Sequence, residues 1–162
     1  MANHLLKDEA FNLGLLLRYI VEAYYKIRER ETNRYGISAM QSAVLWAVGE
    51  IGQRATPTEI SRWIFRTPNG LSPLLNTMEK KGLVKRVKDL DRKNMVRIAI
   101  TKKGHQIRSQ AANREAIDRI MSVLSEVEQL QLRSLLIKLL DKSLEELGVE
   151  RPPYPPDFSE PY

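Results

Sequence analysis

Two histidines, His4 and His105, and no cysteine are all that this chain offers to metal or thiol chemistry. The histidines stand far apart, neither has a neighbour at metal-ligand spacing, and no glycine-rich phosphate loop occurs anywhere. Without cysteine there can be no disulfide and no thiol-based redox sensing. Asp89 and Asp91 alternate as a carboxylate pair would, but they lie in a polar stretch, Asp89 to Asn94, where a solvated turn is the better reading. The pattern is not that of an enzyme, and no cofactor is expected.

Positive charge, by contrast, is plentiful and concentrated. Residues 1–53 carry 6 basic and 6 acidic side chains, 54–108 carry 14 and 4, and 109–162 carry 6 and 10, so the middle third alone is at +10. Neutralising a polyanion requires cations gathered on one face, and a basic centre between neutral and acidic flanks would supply one. The alternative is a solvated Lys/Arg face. The N-terminus, Met1 to Asp8, lacks the order of a signal peptide, and no apolar run is long enough to span a membrane, which leads to the expectation of a cytoplasmic protein with no membrane partner.

The elements that would position these charges follow from periodicity and capping signals. Leu13, Leu16, Leu17, Ile20, Tyr24 and Ile27 recur at helical spacing in a proline-free stretch from Asp8 to Arg34, which predicts one long amphipathic helix ended by Tyr35-Gly36. Ser38 with Gln41 forms a capping-box pattern for a second helix closed by Gly49 and Gly52. Thr56-Pro57-Thr58-Glu59 repeats the signal for a short third helix to about Phe65. A fourth ends at Lys81-Gly82; Thr67-Pro68 and Ser72-Pro73 each offer a cap-plus-proline start, and a start at Thr67 leaves Pro73 inside the helix, which predicts a distorted beginning. Leu83 to Lys88 and Met95 to Ile100 read as two strands around a charged loop. Thr101 caps a long helical stretch whose apolar face runs from Ile107 to Leu124, and Ser125 to Glu128 starts a last helix that Gly148 stops. Residues 149–162 hold five prolines in fourteen positions and read as an extended tail.

Two short helices, a turn and a hairpin give the order of a winged helix-turn-helix, with the second helix in the major groove and the hairpin near the backbone. The segments Ala55-Thr56-Pro57-Thr58-Glu59-Ile60, Met78-Glu79-Lys80-Lys81-Gly82-Leu83-Val84 and Ile100-Thr101-Lys102-Lys103-Gly104, in this order and spacing, resemble the MarR family of transcriptional regulators over nearly the whole chain, to about residue 147. The resemblance implies a dimer built from the first and last helices, two lobes on a palindromic operator, and often a small-molecule pocket between the dimerisation and DNA-binding regions. The residues support a homodimer independently: the terminal helices are amphipathic and separated by the whole lobe, so their apolar faces need each other or a partner chain. Where wings of this family carry Asp-Lys/Arg-Arg, this chain has Arg92-Lys93-Asn94, and Pro68-Asn69-Gly70 with Pro73 is a second departure, in the recognition element.

The expected fold is therefore mainly α, a winged helix-turn-helix with a two-stranded β wing and long N- and C-terminal dimerisation helices. Residues 1–148 form one regulator domain, with 1–36 and 105–148 for dimerisation and 37–104 as the DNA-binding lobe, followed by the 149–162 tail. Base reading falls to Asn69, Ser72 and Asn76, whose amide and hydroxyl groups lie on one side of the element. Arg66, Thr67, Lys85, Arg86 and Arg97 suit phosphates, as do Thr56 and Thr58 through a helix N-terminus. Arg92 and Lys93 suit the minor groove. Tyr24, Tyr25 and Trp46, with Trp63, could line a pocket for a small-molecule effector, or be core aromatics. The function expected is a dimeric repressor on double-stranded DNA, with a winged-helix protein-protein interaction module as the alternative.

Overall fold

The structure, a computed structural model, describes residues 8–88 and 95–153. Helix α1 (Glu9–Asn33) is followed by α2 (Ala39–Ile51), a single 3-10 turn (Gly52–Arg54), α3 (Pro57–Trp63) and α4 (Pro68–Lys80). Strands β1 (Val84–Lys88) and β2 (Val96–Ile100) come next, then α5 (Lys102–Ala111), α6 (Glu115–Met121) and α7 (Glu126–Leu147). The strands pair antiparallel in the register Val84 with Ile100 through Lys88 with Val96. Asp89, Asp91, Arg92, Lys93 and Asn94, the expected wing tip, lie outside the described residues, as do His4 and the tail beyond Pro153.

Local signals explain where the helices begin. Asp8 caps α1 by accepting from Phe11 N–H at 3.1 Å, and Ser38 with Gln41 and Ser125 with Glu128 close full capping boxes. Thr56 makes only half of its expected box: its hydroxyl accepts from Glu59 N–H at 3.2 Å, while the Glu59 carboxylate turns to Arg62. Pro68 occupies the first turn of α4 behind the Thr67 cap, and Pro73 sits inside the helix as the sequence predicts. The third helix stops at Trp63, short of Phe65, which takes a left-handed φ of 51°.

Two sequence expectations are corrected. Gly49 does not close α2 but lies within it, because a methyl group there would come within 2.4 Å of the Arg108 guanidinium: it makes room for a neighbour. The stretch after Thr101 is not one long helix. It breaks at Ala112-Asn113-Arg114, where the Asn113 side chain bonds both the backbone N–H and the carboxylate of Glu115. α1 holds the break open: Arg28 donates to the carbonyls of Ala111 and Asn113, both at 3.1 Å, and Glu31 accepts from Ala116 N–H at 3.2 Å.

The apolar core lies between the terminal helices. Ile37, Leu45, Ile60, Leu71, Leu75, Met78, Leu83 and Ile98 are almost wholly buried, and α5 packs on α2 and β2 as part of the same body. Helices α1 and α7 are the opposite case. Among the described residues outside 37–111 only Thr32 and Leu144 are buried, while Ile20 is 59% exposed, Val21 66%, Val127 63% and Leu139 52%. No helix among the described residues is long and apolar enough to cross a membrane.

Candidate nucleic-acid interface

Helix α4 has two chemically distinct sides. Leu71, Leu75 and Met78, at spacings of four and three, are buried against the core, and that fixes which side faces out. Asn69, Ser72 and Asn76 recur at three and four on the exposed side. The structure thus brings the three base-reading candidates onto one surface of one helix.

The hairpin stands beside that surface. Alternation along the strands puts Val84 and Ile98 inward, while Lys85 and Arg97 share the other face of the sheet. Among the described residues Arg66, Lys85 and Arg97 make no ion pair, so their charge is available to an external anion. Arg86 is placed differently. It lies on the inner side, paired with Glu79 of α4, and donates to the Asn76 side-chain oxygen at 2.7 Å, with Glu79 also accepting from Arg86 N–H at 3.1 Å. A residue expected to hold phosphate is here a brace between strand and helix, and it orients the Asn76 amide so that its NH2 group is left for another acceptor.

Thr56 and Thr67 serve as helix caps, the Thr67 hydroxyl accepting from Gly70 N–H at 3.3 Å, and Thr58 is exposed in the first turn of α3. Arg54, which sequence reasoning passed over, lies in the same groove as Thr56 and Arg97. Its position just before the Thr56 cap, inside the most basic third of the chain, is a signal that could have found it.

The lobe is held rigid by a join between two segments far apart in sequence. Gly82 takes a left-handed φ of 69°, and Thr101 returns to it: its hydroxyl donates to Gly82 C=O at 2.6 Å and its N–H to Leu83 C=O at 3.1 Å. Lys103 Nζ donates to Lys81 C=O at 2.9 Å, and Gly104 lies so close that a Cβ would stand 2.0 Å from the Leu83 oxygen. β2 is also tied to the loop before α3, Ile98 N–H donating to Ala55 C=O at 2.7 Å. Helix exit, hairpin and α5 therefore move as one piece, which fixes the hairpin relative to α4.

Tyr24, Tyr25 and Trp46 all border one open cleft of about 1190 Å³ between α1, α2 and the α5–α6 break. Trp63, His105 and Arg108 border it too, and the Trp46 and Trp63 rings stand 5.4 Å apart at 53°. Arg108 crosses to Glu50 at 2.5 Å over the space that Gly49 leaves. Sequence reasoning missed this contact, although a glycine inside a helix next to an acid is the trace it leaves.

No family model matches the sequence. The HTH-type transcriptional regulator SarZ of Staphylococcus saprophyticus is 33% identical over 70 residues, which cover 43% of this chain and 47% of that relative, so the match spans about half the relative's length. Among solved structures, the organohalide-sensing RdhR transcriptional regulator, bound to 2,4-dichlorophenol, is 28% identical with a TM-score of 0.74 over 85% of this chain and 82% of that one. A MarR family protein from Bacillus stearothermophilus is 27% identical with a TM-score of 0.64, covering 82% of this chain and 93% of its own. This chain has the MarR-family fold. A mutant E. coli MarR solved with operator DNA shares that fold at 23% identity and a TM-score of 0.74, over 82% of this chain and 96% of its own. The MarR-type relatives are transcriptional regulators, not enzymes.

Proposed function

We propose that this chain is a homodimeric, sequence-specific DNA-binding regulator, a cytoplasmic repressor that reads a palindromic operator. The observation that carries the reading is the exposed polar side of α4, with Asn69, Ser72 and Asn76, flanked by Arg66, Lys85 and Arg97, which make no ion pair among the described residues. Amides and hydroxyls read base edges, and cations fix the register on phosphates. Thr56, Thr58 and Thr67 add helix-start contacts to the backbone. Arg92 and Lys93 reach the minor groove, and Arg86 acts by holding Asn76 rather than by neutralising phosphate.

Dimerisation follows from the exposed apolar faces of α1 and α7, which one chain leaves uncovered. Two-fold symmetry then places two recognition helices about one helical turn, roughly 10 bp, apart. The aromatic cleft beside α1 is the place for a small-molecule effector, a reading supported by the dichlorophenol-bound relative. A salt titration of duplex binding tests the proposal. Affinity should fall log-linearly with salt, selected sequences should be inverted repeats, and a chain with no duplex affinity at low salt would refute it.

A further inference from the structure

Asn76 is exposed, but only one end of its amide is free to read a base. Arg86 Nη2 donates to its Oδ1 at 2.7 Å, and because a guanidinium has donors and no acceptor, the amide oxygen and not the NH2 group must be the atom turned towards it. The guanidinium is itself held. One Glu79 carboxylate oxygen accepts from the Arg86 backbone N–H at 3.1 Å and the other from Nη1, which anchors Arg86 at two points to the helix that carries Asn76. Asn76 and Glu79 stand three positions apart on α4, where side chains are neighbours, so one arginine entering from β1 reaches both.

This restricts which base edge Asn76 can read. An asparagine with a free amide reads adenine through two bonds, its oxygen accepting from N6–H and its NH2 donating to N7. Here the oxygen is already engaged: an adenine amino group is left with the second lone pair of Oδ1, in competition with a charged donor for the same atom. Guanine makes no such demand. Its N7 and O6 are both acceptors, and the Asn76 NH2 group has two hydrogens to give. Glu79 offsets the charge of Arg86 at Nη1 but leaves the bond from Nη2 in place. We propose that the Glu79–Arg86 pair determines the base preference of α4: it makes Asn76 a reader by donation alone, so that the base pair facing Asn76 is read as guanine rather than adenine. This rests on the DNA-binding reading of α4. Arg86 and Glu79 are positioning residues that act through Asn76, and removing them returns the amide to two-sided reading and moves its preference to adenine.

The test selects bound sequences from random duplex with three full-length chains: the intact protein, Asn76→Ala, and the double substitution Glu79→Gln with Arg86→Met. The double substitution removes one negative and one positive charge, so the salt slope should stay as it is and a changed base is not a change in electrostatic affinity. The position at which Asn76→Ala loses its preference is the one that Asn76 reads. There the intact chain should favour guanine over adenine by roughly tenfold, the double variant should favour adenine by a similar factor, and the other positions should keep their bases. A second measurement leaves the protein untouched and decides the matter if the double variant loses its circular dichroism. Placing 7-deazaguanine, which lacks the N7 acceptor, at that position should weaken binding of the intact chain roughly three- to tenfold. Adenine favoured by the intact chain, guanine kept by the folded double variant, no loss with 7-deazaguanine, or no position altered by Asn76→Ala overturns the role of the pair while the DNA reading stands. Failure of the intact chain to bind any duplex at low salt overturns both.

Discussion

Replacing Gly104 by alanine would put a methyl group 2.0 Å from the Leu83 carbonyl oxygen and 2.7 Å from Ile100 Cγ2. That oxygen has no room to retreat, because it accepts from both the N–H and the hydroxyl of Thr101, at 3.1 and 3.2 Å. Overpacking costs about 1–3 kcal/mol, and an obstacle made of backbone puts Gly104→Ala near the upper end. Alanine in the first turn of α5 returns roughly 0.5–1 kcal/mol of helix propensity, so the net loss is about 2 kcal/mol. For a chain of this length that lowers Tm by roughly 4–8 °C. Gly49→Ala is the control. Its methyl would approach the Arg108 guanidinium to 2.4 Å, but the obstacle is the end of a flexible side chain. Swinging it away forfeits the exposed Arg108–Glu50 pair, worth at most about 1 kcal/mol, while α2 gains a similar amount, so stability should change by less than about 0.5 kcal/mol. Urea unfolding followed by circular dichroism, at matched dimer concentration, measures both. If Gly104→Ala is neutral, or Gly49→Ala is equally damaging, the join between Leu83 and α5 is not what fixes the hairpin.

Arg92→Ala with Lys93→Ala should weaken operator and random duplex alike and make the slope of log affinity against log salt shallower by about one to two per subunit; an unchanged slope removes these residues from the interface. Asn76→Ala should erode the preference for operator over random duplex with little change in salt slope, and a steeper slope would instead mean that Arg86, released from Asn76, turns to phosphate. Deleting residues 1–34, or introducing Ile20→Glu together with Leu139→Glu, should abolish the dimer in sedimentation at micromolar protein; a persisting dimer would move the interface elsewhere. The Ser125 N–H and then its hydroxyl hold the Glu128 carboxyl below the usual carboxylate range, so this contribution to the start of α7 is complete above that range and is lost as pH falls through the lowered value. Ser125→Ala should raise the Glu128 pKa part-way back in an NMR titration, and no movement would refute the capping account.

What was legible in the sequence was whatever is encoded locally. Caps at Ser38, Thr56, Thr67, Thr101 and Ser125 use one side chain and one N–H three positions on, so type and spacing suffice. The outward side of α4 was readable for the same reason, since Leu71, Leu75 and Met78 define the inward one. The break after Ala111 was hidden because its cause is remote: apolar residues keep helical spacing through it, and the groups that stabilise it, Arg28 and Glu31, are more than eighty positions away. Gly49 misled because glycine has two uses, ending a helix and making room inside one, and only the position of Arg108 decides between them. The role of Arg86 as a brace was not legible because a cation in a basic segment looks free until its carboxylate partner, Glu79 seven positions back, is seen across the helix exit.

The lobe and the terminal helices are joined differently from the way each is built. Inside the lobe the contacts are apolar and close-packed, from Ile37 to Ala111, and a packed core resists gradual deformation. At the joint they are hydrogen bonds: Arg28 to the carbonyls at the α5–α6 break, Glu31 to Ala116 N–H, and Glu29 to the first amide of α2 at 2.6 Å. Hydrogen bonds to charged groups set an angle between the elements they tie. Arg28 and Glu31 are only 12% and 18% exposed and pair with each other at 2.5 Å, so a new angle must find partners for both charges together. The cleft of Tyr24, Tyr25 and Trp46 opens beside this joint and is bordered by Arg28, Ala111 and Asn113 themselves. A molecule filling it would therefore meet the groups that set the lobe's angle to α1, and would reach the hairpin through α5 and the Gly104 join without deforming the core between them.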